Sequence, residues 1–251
     1  KENKPFVGTL LSKSEELLLY EQTFTSFTPN VTLSDFYNAM KSRYKQAFAI
    51  LGSVNDFKNF KKSGPREIGR SKSGGEYYAG ELPREGGEKV EFFGTAVFDG
   101  DRMVGELNGD ETRQSMIARG DLRRSFFGLE DPERPDLVIP LDIREPRKPD
   151  VKVKIDGDKT VIDLKIYLEA EILAIQSNID YEKGELKNVL EKAAEKRAKE
   201  NQERLMDKCK AMKADIFGFG RIALKQFGTI QEWEKFNWLK KFGNAQVNVD
   251  V

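Results

Sequence analysis

Acidic side chains gather in one stretch, residues 91–116, which reads EFFGTAVFDGDRMVGELNGDETRQSM. Its carboxylates belong to Asp99, Asp101, Glu106, Asp110 and Glu111. Carboxylate oxygens of this kind are ligands for hard cations such as Ca²⁺. Two carboxylates placed across a cleft can also hydrolyse a glycosidic bond. The stretch is therefore the first place in the chain where chemistry could be expected.

The spacing of these residues favours a structural role over a reactive site. Asp99-Gly100-Asp101 lacks the third ligand and the later bidentate glutamate of a calcium loop. Asp99 with Gly100 suits a tight turn. Asn108 and Glu111 have the three-residue spacing of the N-cap and N3 positions in a capping box. We predict a strand–turn–strand–helix unit here and assign no catalytic, cofactor-binding or metal-binding residue.

Two residue types are nearly missing from the chain, which has no histidine and whose only cysteine is Cys209. This composition excludes histidine-based general bases, Ser-His-Asp and Cys-His nucleophiles, and imidazole metal sites in this chain. It also excludes intrachain disulfides and thiolate zinc clusters. Cys209 falls on the apolar stripe of a predicted helix, so we expect it to be a buried small hydrophobe.

The overall composition argues against two classes of partner. The 251 residues contain 42 Lys or Arg and 42 Asp or Glu, whereas nucleic-acid-binding proteins usually carry a basic excess. The mean hydropathy is −0.60, and no apolar run approaches the roughly 18 residues that span a bilayer.

The opening residues also lack the pattern of a signal peptide. Because the chain opens without Met, we expect a mature or trimmed fragment.

The elements that would hold the acidic stretch form the first of two predicted α+β domains, residues 1–148 and 149–251, divided at the proline-rich residues 146–149. Residues 1–60 are expected to form short helices and connections, and the Gly/Ser-rich residues 61–88 a loop without the G-K-[ST] of a phosphate-binding loop. One helix starts at Thr32 or Ser34. Its predicted apolar face comprises Leu33, Phe36, Tyr37 and Met40. A hairpin over 90–107 leads into a helix over 108–120.

The second predicted domain is a hairpin, a long helix, a short helix and a last strand. Residues 151–155 and 161–172 alternate apolar and polar side chains around an Asp-Gly turn. Residues 182–216 carry an apolar stripe that is interrupted at Asn201 and Gln202. Trp233 and Trp238, five positions apart, are not expected to share one helix face, so one should enter the core and the other cover an edge or meet a partner. The fold class is thus α+β, with antiparallel sheets and helices packed on them.

Several motifs in order form a recognisable set: TLSDFYNAMKS, then GTAVFDGDRMVGELNGDET, a hairpin and a long charged helix, DIFGFG, two tryptophans with phenylalanines, and VNVDV. This ordered set resembles the Ger(x)C family, the C subunits of spore germinant receptors. The resemblance covers nearly the whole chain, and the chain is similar to the middle and C-terminal domains of the family.

The resemblance implies a non-enzymatic lipoprotein subunit at the outer face of the spore inner membrane. It implies two polytopic membrane partners, the A and B subunits, and a membrane anchor through an N-terminal lipid. The cysteine that would carry this lipid is missing here, and Cys209 cannot replace it because it lies inside the long helix. The family offers no catalytic residue or cofactor to carry over, and no nucleic acid partner is expected.

Two other functions remain open from the residues. The first is an exported, carboxylate-dependent glycan hydrolase that uses residues near Glu106 and Asp110. The second is a small-ligand-binding module with its pocket between the two predicted domains.

Overall fold

A computed structural model describes residues 26–57, 74–84, 86–87 and 89–251. Most of the predicted 61–88 loop and the first part of the predicted helical start therefore lie outside the described residues. Within them, the α-helices are α1 Leu33–Met40, α2 Gly109–Arg119, α3 Gly184–Ala211, α4 Phe219–Ala223, α5 Ile230–Phe236 and α6 Trp238–Phe242. Short 3-10 turns cover Gly74–Glu76 and Leu224–Gln226.

The described strands form three sheets of three strands each. They are β1 Ala47–Val54, β2 Val90–Asp99, β3 Arg102–Leu107, β4 Arg124–Glu130, β5 Val138–Arg144, β6 Asp150–Asp156, β7 Lys159–Lys165, β8 Glu169–Ile172 and β9 Gln246–Asp250. The sheet orders are β1-β2-β3, β4-β5-β8 and β6-β7-β9. All neighbours are antiparallel except β7 and β9, which run parallel. The α+β class is confirmed, and the predicted last strand forms and joins the sheet of the second hairpin.

The predicted strand–turn–strand–helix unit is confirmed at residues 90–120. Strand β2 is covered on both faces, as its continuous apolar run indicates. On one face Phe98 packs edge-on against Phe36 of α1, with ring centroids 5.2 Å apart. On the other face the hydroxyl of Thr95 hydrogen-bonds that of Thr112 in α2, at 2.9 Å. Gly120 ends α2 with a left-handed backbone.

The expectation for residues 1–60 is wrong in two respects within the described part. Residues 47–54 form strand β1 rather than a helix or a connection. Its sequence, AFAILGSV, hides the strand because a register shift at residues 50–52 breaks the alternation. Helix α1 starts at Thr32 with a capping box, but Leu33 and Tyr37 of its predicted apolar face are exposed. Phe36 of that face is buried as predicted, Met40 packs partly buried against the same cluster, and Ala39, which was not predicted, is buried beside them.

The predicted strand over 161–172 is also wrong, because it is two strands in different sheets. The Asp-Gly hairpin forms, with Gly157 at φ +56°, but the chain leaves β7 after Lys165. It then crosses over to pair as β8 with β5. Alternation continues through the crossing because Ile166 still enters the core. A period of two in the sequence reports which face is buried and not which sheet a residue joins.

Helix α3 is shorter than predicted and ends at Ala211 rather than at residue 216. Lys213 adopts a left-handed backbone, and the chain then turns inward so that Ala214, Asp215 and Ile216 are buried. Cys209 is fully buried, as predicted, and burial raises the pKa of its thiol. Both tryptophans are buried, which corrects the expectation that only one would be.

The main hydrophobic core contains residues from both sides of the predicted domain boundary, from Val97 to Val249. A smaller cluster lies under α1 and includes Phe36, Leu51 and Phe98. The division into residues 1–148 and 149–251 stays a prediction. Across the described ranges, no helix is long and apolar enough to span a bilayer.

Candidate functional site

The acidic residues singled out in the sequence have turn and capping roles where the structure describes their contacts. Asp99 and Asp101 are exposed at the β2–β3 turn. Asn108 Oδ1 accepts the Glu111 N–H at 2.9 Å, and Glu111 Oε2 accepts the Asn108 N–H at 2.9 Å. The capping box is therefore confirmed, and it fixes the direction in which α2 leaves the hairpin.

Glu106 and Asp110, the two carboxylates considered for hydrolysis, are placed differently. Asp110 accepts a hydrogen bond from Arg113 Nη2 at 2.6 Å and lines a cleft. Glu106 lies on β3 opposite Ala96 and does not line that cleft. Among the residues that the structure describes, no group of three or more acidic, histidine or cysteine side chains is arranged to hold a metal ion.

The cleft to which Asp110 contributes has a volume of about 510 Å³. It opens between the first turn of α2, the middle of β4 and the C-terminal half of α3. Its lining comprises Phe27, Gly75, Glu76, Asn108, Asp110, Glu111, Arg113, Gln114, Phe126, Phe127, Gly128, Pro140, Arg197, Asn201, Arg204 and Leu205. We call this space the α2–α3 cleft.

Arg113 forms the most constrained wall of the α2–α3 cleft. It is only 5% exposed, and its guanidinium lies 5.5 Å from the ring centroids of both Phe27 and Phe127. Nη1 donates to the Phe126 carbonyl at 2.7 Å, while Nε is buried without a hydrogen-bond partner among the described residues. Burial lowers the pKa of Arg113 from its ordinary value, and the Asp110 charge acts in the opposite direction. The guanidinium thus remains a fixed positive charge held by two aromatic rings.

Two further arginines, Arg197 and Arg204, project from α3 at the rim of the cleft and are exposed. Arg204 donates to the Asn201 side chain. Arg197 has no hydrogen-bond or ion-pair partner within the described part of the chain. The two residues are seven positions apart, so they lie on the same face of the helix, two turns from one another.

Lys208 connects the elements that form the wall of the cleft. Its Nζ lies 2.5 Å from Glu111 Oε2 and 3.1 Å from Tyr78 Oη, so it joins α3 to α2 and to residues 74–84. Burial acts to lower the pKa of Lys208, but the bonds to Glu111 and Tyr78 outweigh it and raise that pKa above its ordinary value. Glu111 is therefore fully engaged, as a cap and as the counter-ion of Lys208.

A second groove, of about 700 Å³, runs under the middle of α3. Ala194 and Ala198 leave room on the helix side, and Leu141, Ile143 and Ile166 form part of the opposite wall. Gln114 and Phe127 line both this groove and the α2–α3 cleft. The buried Gln202 side chain donates to Gln114 Oε1 at 2.9 Å and to its carbonyl at 3.0 Å. The break in the predicted apolar stripe is thus a polar link between α3 and α2.

The DIFGFG motif forms a buried polar anchor and not a ligand site. Asp215 is fully buried. Its carboxylate accepts five N–H bonds, from Phe217, Gly218, Phe219, Gly220 and the Trp238 indole, at 2.7 to 3.2 Å. Burial raises the pKa of Asp215, while these five donors favour the ionised form. The sequence analysis took the glycines of this motif as helix stops and did not identify the aspartate.

Glu145, in the proline-rich stretch after β5, is a carboxylate whose pKa is shifted far upward. Burial raises the pKa of Glu145 to about 8, and the neighbouring Asp121 charge adds to the effect. The Leu122 N–H donates to Oε2 at 3.2 Å, which acts in the opposite direction, and the buried Oε1 has no hydrogen-bond partner among the described residues. At neutral pH the folded chain therefore holds a proton here that an unfolded chain releases.

We expect the free energy of unfolding to fall as the pH rises between about 5 and 8, and Glu145→Gln to remove that part of the pH dependence. Below pH 4.5 the carboxyl group is protonated in both states, and above about pH 8 it is charged in both. Between these values the folded state binds more protons, so its advantage is lost as the pH rises. Urea unfolding of both proteins across this range measures the difference. Parallel curves for the two proteins would contradict the prediction.

Asn108, Asp110 and Glu111 were noted in the sequence, but the other cleft residues were not identified there, although one signal was present. Helix α2 has no apolar stripe, yet it buries Thr112, Arg113, Gln114 and Ser115. A capped helix whose polar residues cannot all face solvent indicates a buried polar surface. Arg197 and Arg204 gave no such signal, because they are two charges on a highly charged helix.

Comparison with known proteins finds one family that matches the part of the chain containing most of these elements. Residues 93–251 match the family described as spore germination B3/GerAC like, C-terminal. Among solved structures, one described as the crystal structure of the GerBC protein is similar, with 20% identity and a TM-score of 0.47 over 65% of this chain and 51% of that one. The chain spans about half the length of that protein. No curated protein matches the chain.

Proposed function

The chain belongs to the spore germination B3/GerAC-like family, and from this membership we propose that it is part of the C subunit of a spore germinant receptor. The observation that carries the proposal is the family match over residues 93–251. The subunit acts through protein–protein contacts that support nutrient-triggered germination, without catalysing a reaction. Its partners are the two polytopic A and B subunits. It is held at the outer face of the spore inner membrane by a lipid on an N-terminal cysteine outside this chain.

One surface suits such contacts, the outer face of the β4-β5-β8 sheet. Gly128 pairs with Pro140 at its centre, and Phe126, Val138 and Leu173 surround that pair with 59%, 47% and 48% of their surfaces exposed. Clustered exposed apolar side chains with a polar rim are typical of interaction sites. The proposal assigns this face, the outer sheet face, to the other receptor subunits.

The polar rim of the outer sheet face is rigid. Arg124 binds Asp142 through Nε and Nη2 at 2.5 to 2.9 Å, and Arg144 approaches the same carboxylate at 3.4 Å. Hydrogen bonds from these guanidinium groups lower the pKa of Asp142, even though burial opposes them. A rim held in this way presents a fixed charge pattern to a partner.

No observation favours the glycan-hydrolase alternative. Glu106 and Asp110 do not both line the α2–α3 cleft, and Asp110 is bound by Arg113. One observation favours the small-ligand alternative. The α2–α3 cleft lies between α2 and β4 of the first predicted domain and α3 of the second.

The proposal predicts that spores without the gene respond poorly to nutrient, and that Val138→Glu on the outer sheet face reproduces much of this defect. A carboxylate buried in an apolar contact loses its hydration without gaining a partner. Germination is followed as the fall in optical density of a spore suspension after nutrient is added, and assembly as co-purification of the A and B subunits. We expect at least a tenfold loss of co-purification.

Ile230→Glu is the matched control, because Ile230 is 68% exposed on α5, outside the outer sheet face. It should leave germination and co-purification unchanged. Normal germination of the deletion strain with every nutrient tested would refute the receptor role. Normal co-purification of Val138→Glu would refute only the assignment of the outer sheet face.

A further inference from the structure

The α2–α3 cleft contains positive charge that the proposed receptor contacts do not use. Three arginines line it, and they differ in their partners. Arg113 is neutralised by Asp110 at 2.6 Å. Arg197 and Arg204 have no ion-pair partner within the described ranges. They therefore carry two unneutralised guanidinium groups at the mouth of a concave site.

The acidic residues of the cleft do not cancel this charge. Asp110 is bound to Arg113, and Glu111 is bound to Lys208 at 2.5 Å. Glu76 is the one lining carboxylate that has no hydrogen bond or ion pair to a described residue, and it stands against the two arginines of α3. The first turn of α2 also faces the cleft, and the positive end of its helix dipole adds to the attraction for an anion. The unpaired charge of the site is thus positive.

Aromatic and apolar side chains supply the rest of the wall. Phe27, Phe126 and Phe127 line the cleft together with Pro140 and Leu205. The rings of Phe27 and Phe127 are already held in position by the Arg113 guanidinium between them. A volume of about 510 Å³ lies within the roughly 300–1,000 Å³ typical of small-molecule sites.

We propose that the α2–α3 cleft binds a small organic anion, one carboxylate or phosphate group attached to an aromatic or aliphatic body. Arg197 and Arg204 bind the anionic group, because a guanidinium matches the two oxygens of either group with paired hydrogen bonds. The body packs against Phe27 and Phe127. This inference concerns the chain itself and does not depend on the receptor partners.

The test is a titration of the purified 251-residue chain followed by ¹H–¹⁵N NMR. Benzoate and phenyl phosphate represent the two sources of the anionic group. Benzyl alcohol lacks the charge, benzylamine reverses it, and inorganic phosphate lacks the body. We expect saturable shifts at Arg113 and Phe127 with at least one of the two aromatic anions. The three other probes should bind at least tenfold more weakly, and the tighter of the two anions identifies the headgroup.

An Arg197→Gln, Arg204→Gln double variant should weaken binding of that anion at least tenfold, and both residues are exposed, so the fold should be retained. Lys196→Gln is the matched control, since Lys196 lies on the same helix turn but does not line the cleft, and it should bind as the unaltered chain does. Equal binding of benzyl alcohol or inorganic phosphate, unchanged binding by the double variant, or no saturable binding of either aromatic anion would overturn the inference. None of these outcomes bears on receptor assembly.

Discussion

Replacing Asp215 with alanine is expected to lower the free energy of unfolding by about 4 kcal/mol, because each buried donor left without a partner costs about 1–3 kcal/mol. Three of the five donors that this carboxylate accepts are buried: the Phe219 and Gly220 N–H groups and the Trp238 indole. The other two, from Phe217 and Gly218, lie near enough to solvent to be partly rehydrated. The loss should therefore come mainly from the buried three.

The measurement is urea unfolding followed by tryptophan fluorescence, which also reports on Trp238 directly. Asp101→Ala is the control, because Asp101 is exposed in the β2–β3 turn and its loss should change stability by less than about 0.5 kcal/mol. Asp215→Asn keeps one acceptor oxygen but turns an amide group toward the donors, so it should also lose several kcal/mol. A stable Asp215→Ala protein with an unchanged midpoint would show that water replaces the carboxylate without cost.

Asp215 also explains why the end of α3 could not be predicted. Its backbone N–H donates to Gln46 Oε1 at 2.6 Å, and its carbonyl accepts the Gln46 N–H at 2.9 Å. The turn after α3 is thus joined to the residue before β1, at a separation of 169 positions. The apolar periodicity continues through Ile216, because this turn is buried as deeply as the helix. A pattern of burial cannot distinguish a buried helix from a buried turn held by side-chain bonds.

Local structure could be predicted wherever the interacting residues are close together in the sequence. The capping box of Asn108 and Glu111, the turn at Gly100 and the Asp-Gly hairpin at Gly157 each depend on contacts within a few residues. The sheet assignments depend on distant partners. Strand β8 pairs with β5 rather than continuing β7. This pairing depends on packing between distant parts of the chain, which a local sequence pattern does not show.

The tryptophan pair shows the same limit. Trp233 and Trp238 cannot share a face of one helix, but they lie on two, α5 and α6. Asn237 separates these helices with a left-handed backbone, at φ +54°. This single residue redirects the chain, so that the two indoles stack with centroids 5.9 Å apart. Asparagine tolerates that conformation better than most residues, but its side chain alone did not mark the break.

The motifs that carry the family resemblance are therefore mainly structural. The GTAVF strand is covered on both faces, DIFGFG binds its own backbone, and the tryptophans fill the core. The α2–α3 cleft is different, because its charged lining joins Arg113 of α2 to Arg197 and Arg204 of α3. Residues 84 or more positions apart meet there, and no sequence motif contains both sides. A family match over these residues thus indicates a shared fold more directly than a shared ligand.

Gly220→Ala is expected to lower the free energy of unfolding by about 3 kcal/mol, although alanine suits a helix better than glycine does. Gly220 lies in α4, where intrinsic propensity favours alanine by about 1 kcal/mol. A β-carbon at this position would overlap the Tyr44 carbonyl oxygen and stand 2.5 Å from Trp238 Nε1. Neither neighbour can withdraw freely, since one is backbone and the other is bonded to Asp215 at 2.8 Å. Overpacking of this kind costs about 1–3 kcal/mol or more and outweighs the gain in propensity.

Gly157→Ala separates this steric cause from backbone strain. Gly157 has φ +56° at the β6–β7 turn, and an added β-carbon there meets nothing within 4 Å. Its substitution should cost only about 1 kcal/mol, the penalty of a left-handed alanine. Urea unfolding of both variants gives the comparison. If Gly220→Ala were as stable as the unaltered chain, α4 could shift away from Tyr44, and the close approach would not be required by the fold. If it is destabilised well beyond Gly157→Ala, the second glycine of DIFGFG is needed for its small size, because it lets α4 lie directly against the residues before β1 and under the Trp238 indole.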